Sequence, residues 1–384
     1  MINVIFKTTN SCNANCSYCF DKVNQTQLNN FQAASVEQIF KVFEKLCDLN
    51  PDGVRWTWHG GEPLLPGYKW YDEVLFGMYE ISQERRVPLT FCMQTNGILL
   101  TKDFQRLLNK YNVHAAISYD GINNINTRRY SKPDSYNRMK SGIAVINPLN
   151  IDTLIEDYKI RKKDNKDFNC NLGYPAYGHT VDEFWGGHNK VLEAIQKYID
   201  YAMYYINDKT GNVHDRQLDD WIRVSLGKET YICTFNNCLN TSIFCITPEG
   251  KIYKCDEIEM DQIYLGSVFD YNSMDELYNH SKLRFAQKQY QQIVDTYCKD
   301  CDYKNHCAQG CWACKINESN GTRPYSLNCM LAKRLIPMIY DKLNDLSPEE
   351  FLELNPMVRE VLLKSVYIPS SIKEAVNNEA NTNN

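Results

Sequence analysis

Short apolar segments alternate with longer amphipathic ones through the first 120 residues. The apolar segments predict strands at 4–6, 54–58, 89–93 and 113–117. Between them, apolar residues recur every three or four positions, which predicts a helix capped by Ser35 and further helices at 70–85 and 104–108. Strands that alternate with helices in this way form a parallel sheet, so an α/β barrel or partial barrel is expected.

The alternation becomes harder to follow after residue 135. Helical spacing predicts helices at 136–146, 151–162 and 190–206, and an apolar run predicts a strand at 168–172. A fifth strand is expected just after residue 146, where the sequence is Asn147-Pro148-Leu149-Asn150. Either this strand is very short or the sheet is abbreviated here. The polar end, 377–384, is expected to be disordered.

Polar and glycine residues follow each of the first four predicted strands. They are the cysteine loop 12–19, His59-Gly60-Gly61-Glu62-Pro63, Gln94-Thr95-Asn96-Gly97 and Ser118-Tyr119-Asp120-Gly121. Because the carboxyl ends of parallel strands share one edge of a sheet, these loops are expected to form one functional face.

Charge and cysteine content narrow the class of protein. The net charge of -5 argues against a nucleic-acid surface, and no apolar run approaches the roughly 18 residues of a membrane span. A cytoplasmic protein is therefore expected. Sixteen cysteines in such a protein indicate metal or redox centres rather than disulfides. Cys47, Cys92 and Cys170 follow no ligand spacing and are interpreted as small buried hydrophobes.

Three thiols within eight residues, Cys12, Cys16 and Cys19, can converge on one centre. A structural zinc site normally has four protein ligands, whereas three cysteines on a four-iron cluster leave one iron open. Zinc with a fourth ligand from elsewhere in the chain remains the alternative.

The CxxxCxxC run, with Tyr18 before its last cysteine, resembles the cluster motif of the radical SAM superfamily. The resemblance implies a [4Fe–4S] cluster that binds S-adenosylmethionine (SAM) and cleaves it to a 5′-deoxyadenosyl radical. Gly60, Gly61 and Glu62 look like the family's GGEP segment, in which glycine admits the methionyl part of SAM and the glutamate accepts from its ammonium. Ser118 is a candidate SAM contact. The resemblance also implies an arginine that contacts SAM, for which Arg128 and Arg129 are both candidates, and we assign this role to Arg129.

The second cysteine group resembles the SPASM extension of radical SAM enzymes, which holds two auxiliary [4Fe–4S] clusters. Similarity to anaerobic sulfatase-maturating enzymes implies two ligand sets: Cys233, Cys238, Cys255 and Cys311, and Cys298, Cys301, Cys307 and Cys329. Cys245 and Cys314 are left over, and Cys314 is an alternative to Cys311. In these maturases an Asp at the position of Asp256 acts as a base. The alternative interpretation of Asp256 is that its side chain caps a turn. The maturases carry an aromatic where this chain has Asp21.

These observations predict a partial (β/α)6 radical SAM barrel at 1–215, a SPASM domain at 216–340 and a helical segment with a disordered polar tail at 341–384. The predicted function is a radical SAM oxidoreductase that oxidises or cross-links a peptidyl side chain, with three [4Fe–4S] clusters and SAM as cofactors. A sulfatase maturase that forms formylglycine is the first alternative, and a non-catalytic zinc-binding interaction protein the second. Expected partners are a peptide or protein substrate and an electron donor such as flavodoxin or ferredoxin, without nucleic acid or membrane.

Overall fold

The computed structural model describes residues 1–19, 21, 28, 31–173, 175, 180–230, 235, 238–256, 263–307, 310–312, 326–365 and 369–382. The strands are β1 (Ile2–Thr9), β2 (Val54–Gly60), β3 (Leu89–Thr95), β4 (His114–Ser118), β5 (Ser141–Ile146), β6 (Asp167–Leu172), β7 (Ile243–Ile246), β8 (Lys251–Tyr253) and β9 (Tyr264–Ser267).

The first seven α-helices are α1 (Val36–Leu49), α2 (Tyr68–Arg85), α3 (Lys102–Lys110), α4 (Asn124–Thr127), α5 (Leu154–Asp164), α6 (Val181–Trp185) and α7 (His188–Asn207). They are followed by α8 (Arg216–Ser225), α9 (Met274–Tyr278), α10 (Ser281–Tyr297), α11 (Leu327–Leu343), α12 (Pro348–Leu352), α13 (Pro356–Ser365) and α14 (Ser370–Thr382). None of the helices in the described ranges is long and apolar enough to cross a membrane.

The strands form one sheet in the order β6-β5-β4-β3-β2-β1-β7-β8-β9. Neighbouring strands from β6 through β1 to β7 are parallel, and β8 and β9 are antiparallel additions. The predicted α/β fold with a parallel sheet is confirmed, and β7 adds a seventh parallel strand beside β1. Because β7 pairs with β1, the sheet continues across the boundary predicted at 215/216, and the division into domains stays a prediction.

The helix predicted at 136–146 is wrong. The chain forms a 3-10 helix at Asp134–Arg138 and then β5, whose burial alternates residue by residue. Gly142, Ala144 and Ile146 face the packed side, and β-branched residues between them favour an extended chain. The fifth strand therefore precedes residue 147, and the sheet is not abbreviated.

The C-terminal tail also differs from expectation, because α14 continues through Thr382. Ile372 is buried and Val376, four residues later, packs against the core. This pair at helical spacing anchors the segment that follows, although the surrounding residues are polar.

The two faces of the sheet differ in chemistry at its centre. Phe6 of β1 packs against Trp56 and Trp58 of β2, and Trp58 contacts Tyr71 of α2. Since side chains alternate along a strand, the neighbouring Lys7 faces the opposite side of the sheet. The aromatic layer thus fills the space under the helices and leaves polar residues on the other face.

Candidate active site

The cysteine loop follows β1 and lies against α4. The Ser17 amide and hydroxyl both donate to the carbonyl of Thr127, at 2.8 and 3.1 Å. Cys16 Sγ lies 3.7 Å from the carbonyl oxygen of Arg128. These contacts hold the loop at the carboxyl edge of the sheet, where the strand order predicts the functional face.

Cys12, Cys16 and Cys19 are half-buried and free of disulfides. Burial raises the pKa of Cys12 to about 12 and also raises the pKa of Cys16 and Cys19. The thiols of Cys16 and Cys19 add to the shift at Cys12, and that of Cys19 adds to the shift at Cys16. Three close thiolates are therefore stable here only with compensating positive charge, which iron supplies. The soft donor set fits an iron–sulfur cluster.

In the parts of the chain that the structure describes, no three His, Cys, Asp or Glu side chains converge on a position for a single metal ion. The assignment of the three thiols to a cluster therefore rests on their spacing, their shared burial and the chemistry of thiolate donors.

Two glycines let β2 approach the start of the cysteine loop. The Gly61 amide donates to the carbonyl of Thr9 at 2.7 Å, and the Glu62 amide donates to the carbonyl of Ser11 at 2.8 Å. A Cβ on Gly60 would lie 2.4 Å from the Thr9 oxygen, and one on Gly61 would lie 2.0 Å from the Ser11 oxygen. Close backbone contact within the protein is thus one reason for glycine here, besides the predicted approach to SAM.

Glu62 is fully buried and connects β2 to β3. Its Oε1 accepts hydrogen bonds from the Leu64 amide at 3.0 Å and the Thr95 hydroxyl at 2.6 Å, and its Oε2 accepts from the Asn96 amide at 2.8 Å. Burial raises the pKa of Glu62 to about 7, although these three hydrogen bonds act to lower it. The Asn96 side chain in turn donates to Asn13 at 2.7 Å, so Glu62 acts on the cysteine loop through Asn96.

Tyr18 belongs to a buried ionic group. Its hydroxyl donates to Oδ2 of Asp120 at 2.5 Å, while Arg128 Nε lies 2.9 Å from Oδ1 of the same carboxylate. The Arg128 guanidinium also lies 5.5 Å from the centre of the Tyr18 ring. Arg129, by contrast, is exposed and has a left-handed backbone with φ of 65°. The structure thus places Arg128 against the cysteine loop, and the role given to Arg129 stays a prediction.

Ser118 ends β4 and is buried, and its hydroxyl accepts from the Gln94 side chain at 3.4 Å. Gln94 in β3 is also hydrogen-bonded to His59, and His59 pairs in register with Lys7 of β1. Lys7, His59, Gln94 and Ser118 therefore form a polar row across four adjacent strands.

Asp256 lies at the β1 end of this row. Its Oδ2 is 3.5 Å from Nδ1 of His59, and its side chain is 10% exposed. Lys7 is buried and forms an ion pair with Asp21 at 3.1 Å. Burial alone would lower the pKa of Lys7, but the carboxylates of Asp256 and Asp21 raise it. Burial lowers the pKa of His59, which favours the neutral imidazole.

The sequence did not single out Lys7, His59 or Asp120 as site residues. The available signal for Lys7 was a charged residue in an otherwise apolar strand, because a buried charge requires a partner. Asp120 lies in the loop that follows β4, and its contact with Tyr18, 102 positions away in the sequence, has no local signal.

Seven predicted auxiliary ligands lie in the described residues, whereas Cys233 and Cys314 lie outside them. Cys238 and Cys311, from distant parts of the chain, share a side-chain hydrogen bond. Cys245, which the spacing left unassigned, is fully buried in β7 and pairs with Ile5 of β1. Asp256 and Lys7 are among the groups that shift its pKa, so it belongs to the interior near the polar row.

The profile of the Radical SAM superfamily matches residues 6–168. A cysteine-type anaerobic sulfatase-maturating enzyme of Clostridium novyi strain NT is 24% identical over 344 residues, covering 83% of this chain and 90% of that protein. The radical SAM cyclopropyl synthase TigE of Paramaledivibacter caminithermalis is 24% identical over 331 residues, or 79% of this chain and 66% of that protein. The solved structure of native anSMEcpe with bound AdoMet and Cp18Cys peptide has a TM-score of 0.70 at 18% identity, covering 88% of this chain and 99% of that chain. This last similarity concerns the fold.

Proposed function

Because residues 6–168 are a radical SAM domain, we propose that this chain is an oxidoreductase that modifies a peptidyl side chain with a radical made from SAM. The observation that carries the proposal is the assembly of the cysteine loop, Glu62 with Asn96, and Ser118 at one edge of the sheet. The polar row with Asp256 lies beside this edge.

Cys12, Cys16 and Cys19 would hold the SAM-binding [4Fe–4S] cluster. Two further [4Fe–4S] clusters would be held by the ligand sets Cys233, Cys238, Cys255, Cys311 and Cys298, Cys301, Cys307, Cys329. When bound, the first cluster would supply the electron that cleaves SAM into methionine and the 5′-deoxyadenosyl radical that takes a hydrogen atom from the substrate, and the other two clusters would accept the electron that the substrate residue then loses.

The protein's own residues orient the reaction. Glu62 fixes Asn96 against the cysteine loop, and Tyr18 and Arg128 are held together by Asp120. We assign to Asp256 the uptake of the proton that leaves the substrate as it is oxidised, because its side chain is only 10% exposed and its carboxylate lies 3.5 Å from His59.

Peptide substrates are favoured because a solved structure of similar fold holds a bound peptide. The similar proteins include a sulfatase-maturating enzyme and a cyclopropyl synthase, and the similar fold of anSMEcpe was solved with a bound peptide. The proposed enzyme is cytoplasmic and receives electrons from a donor such as flavodoxin or ferredoxin, and most of its sixteen cysteines serve metal or redox centres.

The second candidate is a sulfatase maturase that converts a peptidyl Cys or Ser to formylglycine. The similarity to the Clostridium novyi enzyme and the position of Asp256 favour it. The buried Lys7–Asp21 ion pair argues for a substrate residue different from that of the maturases. The maturases that this chain resembles carry an aromatic residue at the position of Asp21. The first reading is therefore preferred.

Two peptides separate these functions. The anaerobically reconstituted, reduced protein is incubated with SAM and either a short precursor peptide encoded beside its gene or a peptide with a sulfatase motif. A mass change in the precursor peptide, with deoxyadenosine formed, is expected. A mass change in the sulfatase peptide alone would select the maturase. Stoichiometric zinc in place of about twelve irons per chain would exclude both enzymes.

Replacing Asp256 by Asn tests the proposed proton acceptor. The amide keeps the shape but cannot accept the proton, so product formation is expected to fall by about 100-fold or more while iron content and SAM cleavage persist. The control is Asp152→Asn, which removes an exposed carboxylate paired with Lys197. Product formation at the wild-type rate in the Asp256 variant would show that Asp256 is not the proton acceptor.

A further inference from the structure

Helix α10 lies between the two predicted auxiliary ligand sets. Gln287 near its middle donates to the carbonyl of Leu239 at 3.3 Å and to the side chain of Asn240 at 3.0 Å, directly after Cys238 of the first set. At its other end, Cys298 of the second set caps the helix through its amide, which donates to the carbonyl of Val294 at 2.9 Å. One helix therefore contacts both sets.

Tyr290 occupies the buried face of α10 between Gln287 and Cys298. It is 1% exposed, and Val294 and Cys298 follow it at intervals of four residues on the same face of the helix. The phenol hydroxyl donates a hydrogen bond of 2.8 Å to the carbonyl of Gly310.

The surroundings of Tyr290 include thiols of both sets. Burial is the main cause that raises its pKa, and the thiols of Cys311 and Cys238 from one set and Cys298 and Cys307 from the other add to it. Thiols of both sets therefore act electrostatically on the phenol, and its hydrogen bond to Gly310 fixes where the ring lies.

The Gly310 carbonyl, which accepts the hydrogen bond from Tyr290, lies in the sequence between Cys307 of the second ligand set and Cys311 of the first. Cys307 and Cys311 are four positions apart in the sequence but belong to different predicted clusters. Between them, Gly310 has a left-handed backbone with φ of 78°, and its amide donates to the carbonyl of Cys307 at 3.0 Å. The direction in which each of the two cysteines points depends on this turn.

We propose that Tyr290 is a positioning residue for both auxiliary clusters, because its hydroxyl fixes the turn at Gly310 and thereby the separation of Cys307 and Cys311. The inference rests on the proposed function, since it requires the two auxiliary clusters. It assigns Tyr290 no contact with the substrate.

The test compares Tyr290→Phe, which keeps the ring and removes the hydroxyl, with Tyr297→Phe on the same helix, where the ring is 44% exposed. Each protein is reconstituted and reduced without peptide. Iron content is measured, and electron paramagnetic resonance spectra are recorded through a potentiometric titration. We expect shifted spectra and midpoint potentials for the auxiliary clusters in the Tyr290 variant alone. The spectral change that SAM causes at the first cluster is expected to be unchanged.

Iron content, spectra and midpoint potentials in Tyr290→Phe equal to those of the wild type would overturn the inference. Loss of the first cluster together with the others would also overturn it, because the hydroxyl would then support the whole fold. Gly310→Ala changes the same turn from the acceptor side without altering the helix, and unchanged auxiliary signals in that variant would count equally against the proposal.

Failure of the inference can be told apart from failure of the proposed function. About four irons per chain in the wild type would show that the auxiliary clusters are absent, and this result would refute both proposals. About twelve irons with unaltered spectra in both variants would remove the role of Tyr290 alone. The spectra are recorded without substrate, so they do not depend on which peptide the enzyme modifies.

Discussion

Gly61 lies where two backbone segments come too close for a side chain. Its amide is bonded to Thr9, and any Cβ at this position would overlap the Ser11 carbonyl. Since Ser11 immediately precedes Cys12, the same contact directs the chain into the cysteine loop. The glycine is thus a cause of the site's geometry as well as a feature of its sequence motif.

Gly61→Ala is therefore expected to destabilise the protein by about 3 kcal/mol, at the upper end of the usual cost of overpacking, because the obstacle is backbone. It is also expected to lower the iron bound by the first site. The measurements are chemical unfolding and iron content. The control is Gly186→Ala, where no atom lies within 4 Å of the added carbon but φ is 84°. That change should cost about 1–2 kcal/mol and leave iron unchanged. Equal effects of the two substitutions would contradict the steric explanation.

For individual side chains, the sequence predicts which residue types form the site better than it predicts which residues contact one another. The spacing of Cys12, Cys16 and Cys19 follows from local ligand geometry and is readable directly. The position of Arg128 is not, because two identical residues are adjacent and only the folded chain brings Asp120 next to Arg128. The role of Lys7 depends on Asp21, which reaches it from a loop after the cysteines.

Strand β5 shows how an element can be misassigned. Its run Ser141-Gly142-Ile143-Ala144-Val145-Ile146 is short and apolar, and such a run does not distinguish a strand from a buried helix by periodicity alone. The structure decides through pairing, since β5 bonds to β6 along its whole length. Long amphipathic segments such as α2 and α7 carried enough turns to be predicted reliably.

His214 connects three helices near the far end of the sheet. Its Nδ1 lies 2.7 Å from Oδ2 of Asp219 in α8, and its Nε2 lies 3.7 Å from Glu360 in α13. Tyr205 of α7 donates to the other oxygen of Asp219 at 2.9 Å. The hydrogen bond with Asp219 is the main cause that raises the pKa of His214, and Asp167 and Glu360 add to it.

The stabilisation from His214 is expected to depend on pH. Because the folded-state pKa is raised above the ordinary 6.5, the contribution is complete below pH 6.5 and is lost as pH rises through the folded value. The free energy of unfolding of His214→Gln should thus be about 1.5 kcal/mol below that of the wild type at pH 6, with a smaller difference at pH 8.5. His188→Gln, at an exposed histidine, is the control. A difference that does not change with pH would contradict the prediction.

The whole molecule is organised by a sheet that does not stop at the predicted domain boundary. Strand β1 has β2 on one side and β7 on the other, with β7 paired from Asn3 to Phe6. Removing everything after residue 215 would expose the backbone donors and acceptors of β1 along that side. An uncovered edge of this kind promotes association between chains.

A fragment of residues 1–215 is accordingly expected to be aggregated or oligomeric, whereas coexpression with residues 216–384 should restore a soluble complex. Size-exclusion chromatography with light scattering measures both states. The full chain, purified in parallel, provides the reference. A monomeric fragment with a cooperative thermal transition would show that the barrel completes its sheet without β7, and that the two parts fold independently.

The alternation of strands and helices predicted the parallel sheet, because each βα unit is local in sequence. It did not predict that β7 lies beside β1, since Asn3 and its partner Ile243 are far apart along the chain. Nothing in the local pattern of either strand specifies the other. The same reason explains why Asp256, known only as the residue after Cys255, could not be placed next to His59 in advance.

The pairing of β1 with β7 has a consequence for biosynthesis. The ribosome makes β1 first and β7 about 240 residues later, which at the usual 5–20 residues per second is a delay on the order of ten to fifty seconds. During that time the nascent chain carries an open strand edge next to the three thiols of the cysteine loop. Timing of translation and protection of the emerging chain therefore bear on how much enzyme a cell obtains, apart from how stable the finished protein is.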